Sequence, residues 1–188
     1  MNWHSCYYDH FTAFLGKPIA ATEFTHANHD SFPIDIYTFD GSFEGCRSFC
    51  TFGLTKYRSA LHTTCEVYLP VDDGWEDIPR ILANLLDYLV YQRRPIRAGR
   101  CISGIENINR GFVETYGKSA MYFATPFGLP DGFNTFCCDE HHGQVYMACF
   151  ISPQEHTFLV EHGPAQFEAL LVEKDVDALH LRRPSCIE

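Results

Sequence analysis

One block constrains the fold of this chain more than any other: Ser48-Phe-Cys-Thr-Phe-Gly-Leu-Thr55, followed by Cys65-Glu-Val-Tyr-Leu-Pro70 and then Trp75. Aromatic and β-branched residues make the two runs strands, and the glycine between them supplies the turn. The segment Trp75 to Tyr91 then sets Ile78, Ile81, Leu82, Leu85, Leu86, Leu89 and Val90 on one wide apolar stripe, which predicts a helix. Pro79 lies in its opening turns and delays the regular part; Arg93-Arg94-Pro95 ends it. In the strand Thr63 to Leu69, Cys65, Val67 and Leu69 alternate with Glu66 and Tyr68, as when one face is buried. Pro70 to Gly74 breaks that strand. Strands that must cover a helix stripe fold as layers, so the expected class is α+β, a mixed β-sheet packed with helices.

The flanking chain fits one such domain. Trp3 to Leu15 predicts a helix with Tyr7 and Phe11 on its apolar face, stopped by Gly16-Lys17-Pro18. Ala20 to Phe32 is polar and reads as a loop. Ile34 to Phe39 and Cys46 to Phe52 read as strands, with a turn at Asp40-Gly41. Ala98 to Lys118 is weakly patterned, with one short strand near Cys101 to Ile105. Ala120 to Thr125 and Val145 to Ile151 are buried strands, and Pro126 to Gly143 between them reads as an exposed loop or hairpin end. Ser152-Pro-Gln-Glu155 is a capping box with proline at the first helical position. That helix ends near Gly163, a second runs from Pro164 through Leu171, and a charged tail closes the chain. Residues 1–31 read as an extension and 32–188 as the domain, with no internal repeat.

Composition narrows the function classes. With 188 residues the chain buries roughly 70% of its unfolded surface without staples. Its 16 Phe and 10 Tyr serve cores and interfaces alike. A net charge of −10 repels phosphate backbones, which argues against nucleic acid, and speeds association with a basic partner. No leader is visible at the N-terminus and no apolar run spans a bilayer. The expected location is therefore cytoplasmic, with no membrane association. The nine cysteines are scattered through strands, as expected of buried thiols in a reducing compartment.

Candidate chemistry is sparse. Cys137-Cys-Asp-Glu-His-His142 contains good zinc ligands, but neighbours in sequence diverge in direction and no Cys-x-x-Cys or His-x-x-x-His pair completes a tetrahedron. One of these side chains could recruit a distant ligand such as His26 or His29. Cys46 and Cys50 lie on one face of a strand, too far apart to act as a pair. Glu66, Asp72, Asp73, Glu76 and Asp77 gather near a helix N-terminus, where they offset its dipole. No glycine-rich phosphate loop is present. The expectation is a non-enzymatic protein without cofactor or metal; the alternative is a thiol- or zinc-dependent enzyme using Cys137 to His142.

The landmarks together resemble the suppressor-of-fused domain family. They are Thr51-Phe-Gly-Leu-Thr55, Glu66-Val-Tyr-Leu-Pro70, Trp75 with the helix around Leu82 to Val90, Thr125-Pro-Phe-Gly128, the strand and acidic helix from Val145 to Gly163, and Arg182-Arg-Pro-Ser185. They stand in family order over about Phe32 to Glu188; the loop Gly128 to Gly143 is longer than usual and the cysteine content is high. The resemblance implies a suppressor-of-fused-like fold and a protein-binding role. Two-lobed members clamp an extended peptide, partly by strand addition, whereas single-lobe members resemble bacterial immunity proteins that neutralise a toxin. The length here fits the single-lobed kind. By the same match Phe49 occupies a peptide-contacting position, with ordinary sheet packing as the alternative. Phe49 and Tyr68, with the acidic Glu66, Asp72 and Asp73, are the expected partner-binding residues.

Overall fold

The computed structural model describes residues 3–25, 33–138 and 141–187, apart from the side chains of Trp3 and His141. Its centre is an eight-stranded mixed sheet. The strands are β1 (Ala20–Phe24), β2 (Ile34–Asp40), β3 (Arg47–Phe52), β4 (Cys65–Val71), β5 (Arg100–Ser103), β6 (Ala120–Ala124), β7 (Thr135–Cys138) and β8 (His141–Ile151). They run in the order β1-β2-β3-β4-β8-β6-β5, with β7 also paired to β8. The one parallel ladder joins β4 to β8, where Glu66 faces Val145 and Tyr68 faces Met147. Opposite β4, β8 pairs β7 along its first part and β6 along its second. It is the hub of the sheet.

Both faces of the sheet are covered. Over one lies α3 (Ile78–Tyr91), whose Ile78, Ile81, Leu82, Leu85, Leu86 and Leu89 share a core with Phe49, Val67, Leu69, Ala148 and Phe150. Each such side chain contributes about 1.5–3 kcal/mol by leaving water. Two shorter helices, α4 (Ile105–Ile108) and α5 (Arg110–Tyr116), extend this layer through Ile105 and Phe112. On the other face α1 (Trp3–Leu15) sets Tyr7, Phe11 and Leu15 against Phe39, Phe52, Phe133, Phe136 and Met147. Beside it α6 (Pro153–His162) and α7 (Pro164–Glu173) cover Ala120, Tyr122, Cys149 and Ile151 with Leu159 and Phe167. A short helix, α2 (Arg58–Leu61), continues the turn after β3.

The expected α1, α3 and capping box are all present. Ser152 accepts from the Glu155 N–H and Glu155 accepts from the Ser152 N–H. Four local expectations need correction. Ala20–Phe24 is an edge strand rather than loop, its register fixed by pairing with β2 rather than by apolar alternation; residues 26–32 lie outside those described. β4 does not stop before Pro70, and it is buried on both sides, so Glu66 and Tyr68 point into the second core. The segment after Ala98 adds two helices to its short strand. Finally, the loop Pro126 to Gly143 contains β7, with Phe133, Phe136 and Cys138 buried. The ring of Phe136 lies over Gly143, its cross-strand partner, where a Cβ would stand 1.6 Å from the ring.

The first 31 residues, read as an extension, contribute α1 to the second core and β1 to the sheet. A disulfide joins Cys6 of α1 to Cys138 of β7. Two of the nine cysteines are thus cross-linked, where most were expected to be buried thiols. Cys46, Cys50, Cys65 and Cys149 are buried free thiols, as the strand positions predicted. Among the described residues no helix is long and apolar enough to cross a membrane.

Candidate functional site

Glu66 organises the block that dominates the sequence. Its fully buried carboxyl accepts from the Thr51 hydroxyl (2.5 Å), the Thr55 hydroxyl (2.8 Å) and the N–H groups of Gly53 (3.0 Å), Leu54 (3.3 Å) and Thr55 (3.3 Å). The three amides open the 3-10 turn Leu54–Tyr57, so Glu66 caps it from a neighbouring strand. The Thr51 hydroxyl passes the order back by accepting from the Val67 N–H. From α1, the Tyr7 hydroxyl completes the network on Thr55. Burial raises the Glu66 carboxyl, hydrogen bonds from Thr51, Gly53 and Thr55 pull it back, and it settles at about 7. Gly53 turns the corner at φ 121°, where a Cβ would stand 2.7 Å from the Pro33 carbonyl oxygen.

Three of the five expected interface residues are therefore internal. Glu66 is the cap just described. Phe49 is 1% exposed beneath α3. Tyr68 is fully buried, its hydroxyl bonded to Ser42 (2.5 Å) and Ser48 (3.2 Å) and its ring edge-on to Phe133. A partner docking on the folded surface reaches none of these three. The sheet has no solvent face at β3 and β4, so alternation there carries no interface information.

Asp72 and Asp73 do reach the surface, and both hold the C-terminal segment. Asp72 accepts from the Leu181 N–H (2.8 Å) and pairs with His180 (2.5 Å). Asp73 accepts from the Gly74 N–H and from Arg182, both at 2.7 Å. Its carboxyl is lowered by the Gly74 amide first and Arg182 second. Next along, Arg183 is buried against Glu155 in a two-pronged ion pair, while the Cys186 N–H donates to the same carboxylate. Burial alone would raise Glu155; the guanidinium and the amides bring it down to about 2. Lys118 donates to the Arg183 carbonyl (2.9 Å), its ammonium lowered to about 8 by burial and by Arg183. The closing Arg-Arg-Pro-Ser motif is thus a strap locked onto the α6 capping box. Sequence spacing gives no sign of it, because the partners lie 28 residues apart.

The cysteine–histidine segment divides. Cys138 is consumed by the disulfide, while Cys137 faces out and lies 3.2 Å from His142, its cross-strand neighbour. Asp139, Glu140, His26 and His29 lie outside the described residues, as does the side chain of His141. Among the described residues no three His, Cys, Asp or Glu side chains gather to hold a metal ion. Burial pushes Cys50 and Cys65 well up and Cys149 to about 12, which makes these thiols poor nucleophiles.

The surface that remains open is at the ends of the sheet. Among the described residues β1 and β5 terminate the strand order, each pairing on one side only, and β7 pairs β8 alone. In β5, Arg100 and Ser103 are exposed. The last turns of α3 carry Tyr88 and Tyr91 at 47% and 66% exposure. Aromatics this exposed on a 14-residue apolar helix are the clearest sign of contact potential outside the core.

The fold and its motifs agree with comparisons to known proteins. The profile of the family described as "Suppressor of fused protein (SUFU)" matches residues 30–184. A suppressor-of-fused homologue from Neisseria gonorrhoeae has a similar structure, with TM-score 0.76 and 16% identity over all of this chain and 98% of its own. The Sufu–Fu complex contains a chain similar at TM-score 0.66 and 12% identity, over 98% of this chain and 92% of that one. Suppressor of Fused from Drosophila matches at TM-score 0.63 and 13% identity; 97% of this chain is covered but only 50% of that one. No curated protein sequence matches at a significant level. At these identities the solved structures speak for the fold alone, while the profile covers the sequence from before β2 to the strap. The chain belongs to the suppressor-of-fused family.

Proposed function

We propose that this protein works by binding rather than catalysis, as an immunity-type protein that neutralises a cognate toxin domain in the cytoplasm. The observation that carries the binding reading is the exposed pair Tyr88 and Tyr91 on α3, together with the sheet edges β1 and β5, which pair on one side only among the described residues. An unpaired edge offers main-chain hydrogen bonds to an incoming strand, and exposed aromatics offer contact area. The Sufu–Fu complex, a two-protein assembly on a similar fold, supports the same role. The toxin assignment rests on the match to a bacterial homologue over 98% of its chain and on the net charge of −10, which would draw in a basic partner. Asp72 and Asp73 remain candidate rim contacts, since each stays partly exposed beside the strap; Phe49, Glu66 and Tyr68 support binding from within.

The test is affinity capture from the native cell combined with deletion of the gene. A stoichiometric basic partner, and toxicity unmasked by the deletion, are the expected results. Empty captures overturn the binding reading. A captured partner without any toxicity overturns the immunity reading alone.

A further inference from the structure

The helical cover on the second face of the sheet is incomplete. Between α7 and the loop that follows β6 a groove of about 520 Å³ opens onto the strands. Its lining includes Tyr122 and Cys149 from the sheet, Leu171, Val172 and Val176 from α7 and its exit, and Phe127 opposite. The lips stand in water: Val172 is 81% exposed and Phe127 48%. Pockets of about 300–1,000 Å³ take small ligands or a few side chains. This one suits one or two large apolar side chains, not a whole helix.

Charge identifies the occupant. Of the lining residues only Glu168 and Asp175 are charged, and both are acidic. The Tyr122 hydroxyl donates to Glu168 at 2.6 Å and fixes that carboxylate in place. Of the nearby cations, Lys174 is turned away to the Cys186 carbonyl oxygen at 2.7 Å, while Arg183 and Lys118, whose charges reach Cys149, are engaged by Glu155 and by the Arg183 carbonyl. The C-terminal end of α7, at Val172 and Glu173, adds the negative pole of its dipole on the same side. The groove is therefore apolar at its base and negative at its rim.

We infer that this groove docks a segment of a protein partner in which a bulky apolar residue adjoins a lysine or arginine. The apolar side chain enters over Tyr122 and Cys149, and the cation meets Glu168 and Asp175. This inference rests on the protein-binding reading but uses the face of the sheet opposite α3, over β6 and β8.

The test pans a random displayed dodecapeptide library on the full chain, with Val172→Arg as the counter-target. Val172 is exposed enough that arginine there leaves the unfolding curve unchanged, while it overhangs the groove and offsets one of its two negative charges. Peptides pairing an apolar residue with Lys or Arg are expected to enrich. Their synthetic consensus should lose at least about tenfold in affinity on Val172→Arg and several-fold on Asp175→Asn, more at low salt than at high. The inference is overturned if no enriched peptide distinguishes the wild type from Val172→Arg, or if the discriminating peptides lack basic residues. A partner captured equally by wild type and Val172→Arg, with no discriminating peptide, removes the groove and leaves the binding reading standing. Discriminating peptides without any cellular partner do the reverse.

Discussion

The carboxyl of Glu66 gives the sharpest quantitative prediction. Burial raises it to about 7 from an ordinary value of 4.5. The folded state thus keeps this proton to higher pH than the unfolded chain does. Its contribution to stability is complete below about 4.5 and is lost as pH rises through about 7. That interval is equivalent to about 3 kcal/mol. Glu66→Gln keeps the shape and removes the titration. The amide's NH2 end fits best toward Thr51, whose hydroxyl can turn to accept, and the Leu54 N–H on the same oxygen then loses its acceptor. One orphaned buried donor costs about 1–3 kcal/mol. The variant should therefore be less stable than wild type by about 1–3 kcal/mol near pH 5, and level with it or more stable near pH 8. Urea unfolding followed by tryptophan fluorescence across that range measures the difference, and groups common to both proteins cancel. Dilute samples avoid association around the pI of 5.4. A deficit that widens toward pH 8 refutes the reasoning, because it would mean that the donors outweigh burial and favour the charged form.

Four other perturbations follow from the same structure. Arg183→Met strands the Glu155 carboxylate and should cost about 3–5 kcal/mol in denaturant unfolding. Glu155, held at about 2, contributes stability that is present above about 4.5 and lost as pH falls, so Glu155→Gln should flatten that part of the acid unfolding curve. Gly53→Ala must adopt φ 121° and push against the Pro33 carbonyl, so a fall in melting temperature of more than about 5 °C is expected by calorimetry. An unchanged melting temperature would show that the turn can be remade without glycine. Cys6→Ser opens a cross-link spanning 132 residues and should lower stability by up to about 5 kcal/mol under oxidising conditions. Reductant should bring wild type to the variant's level and leave the variant unmoved.

What the chain reveals before folding depends on how local the information is. Helix α3 is legible because its stripe repeats over four turns, and α6 because its cap lies within four residues. β1 is illegible because Ala20, Ala21, Thr22 and Glu23 are all exposed and carry no alternation. β7 is hidden for the opposite reason: Phe136 and Cys138 alternate correctly with Thr135 and Cys137, but four residues are too few to stand out from a Gly- and Asp-rich loop. The misplacement of Glu66 and Tyr68 has one cause, the assumption that a strand reading apolar–polar has a wet face. The second layer that buries them begins with Tyr7, far away in sequence. The groove beside α7 is assembled from β6, β8, α7 and two loops, so no window of sequence contains it.

The central position of β8 also sets the order in which the molecule can be completed. β4 and β6 do not pair with each other; each waits for the strand running from His141 to Ile151 to lie between them. During synthesis, then, the first 140 residues emerge as two unfinished half-sheets, each with an apolar flank and an unsatisfied row of amides. Non-local closure of this kind is slow, and exposed strand edges invite association with other chains while it is pending. The interval between translating β4 and translating β8 is the period when this protein most needs protection, and translational pausing just before His141 should lower its soluble yield more than the same pause placed after Ile151.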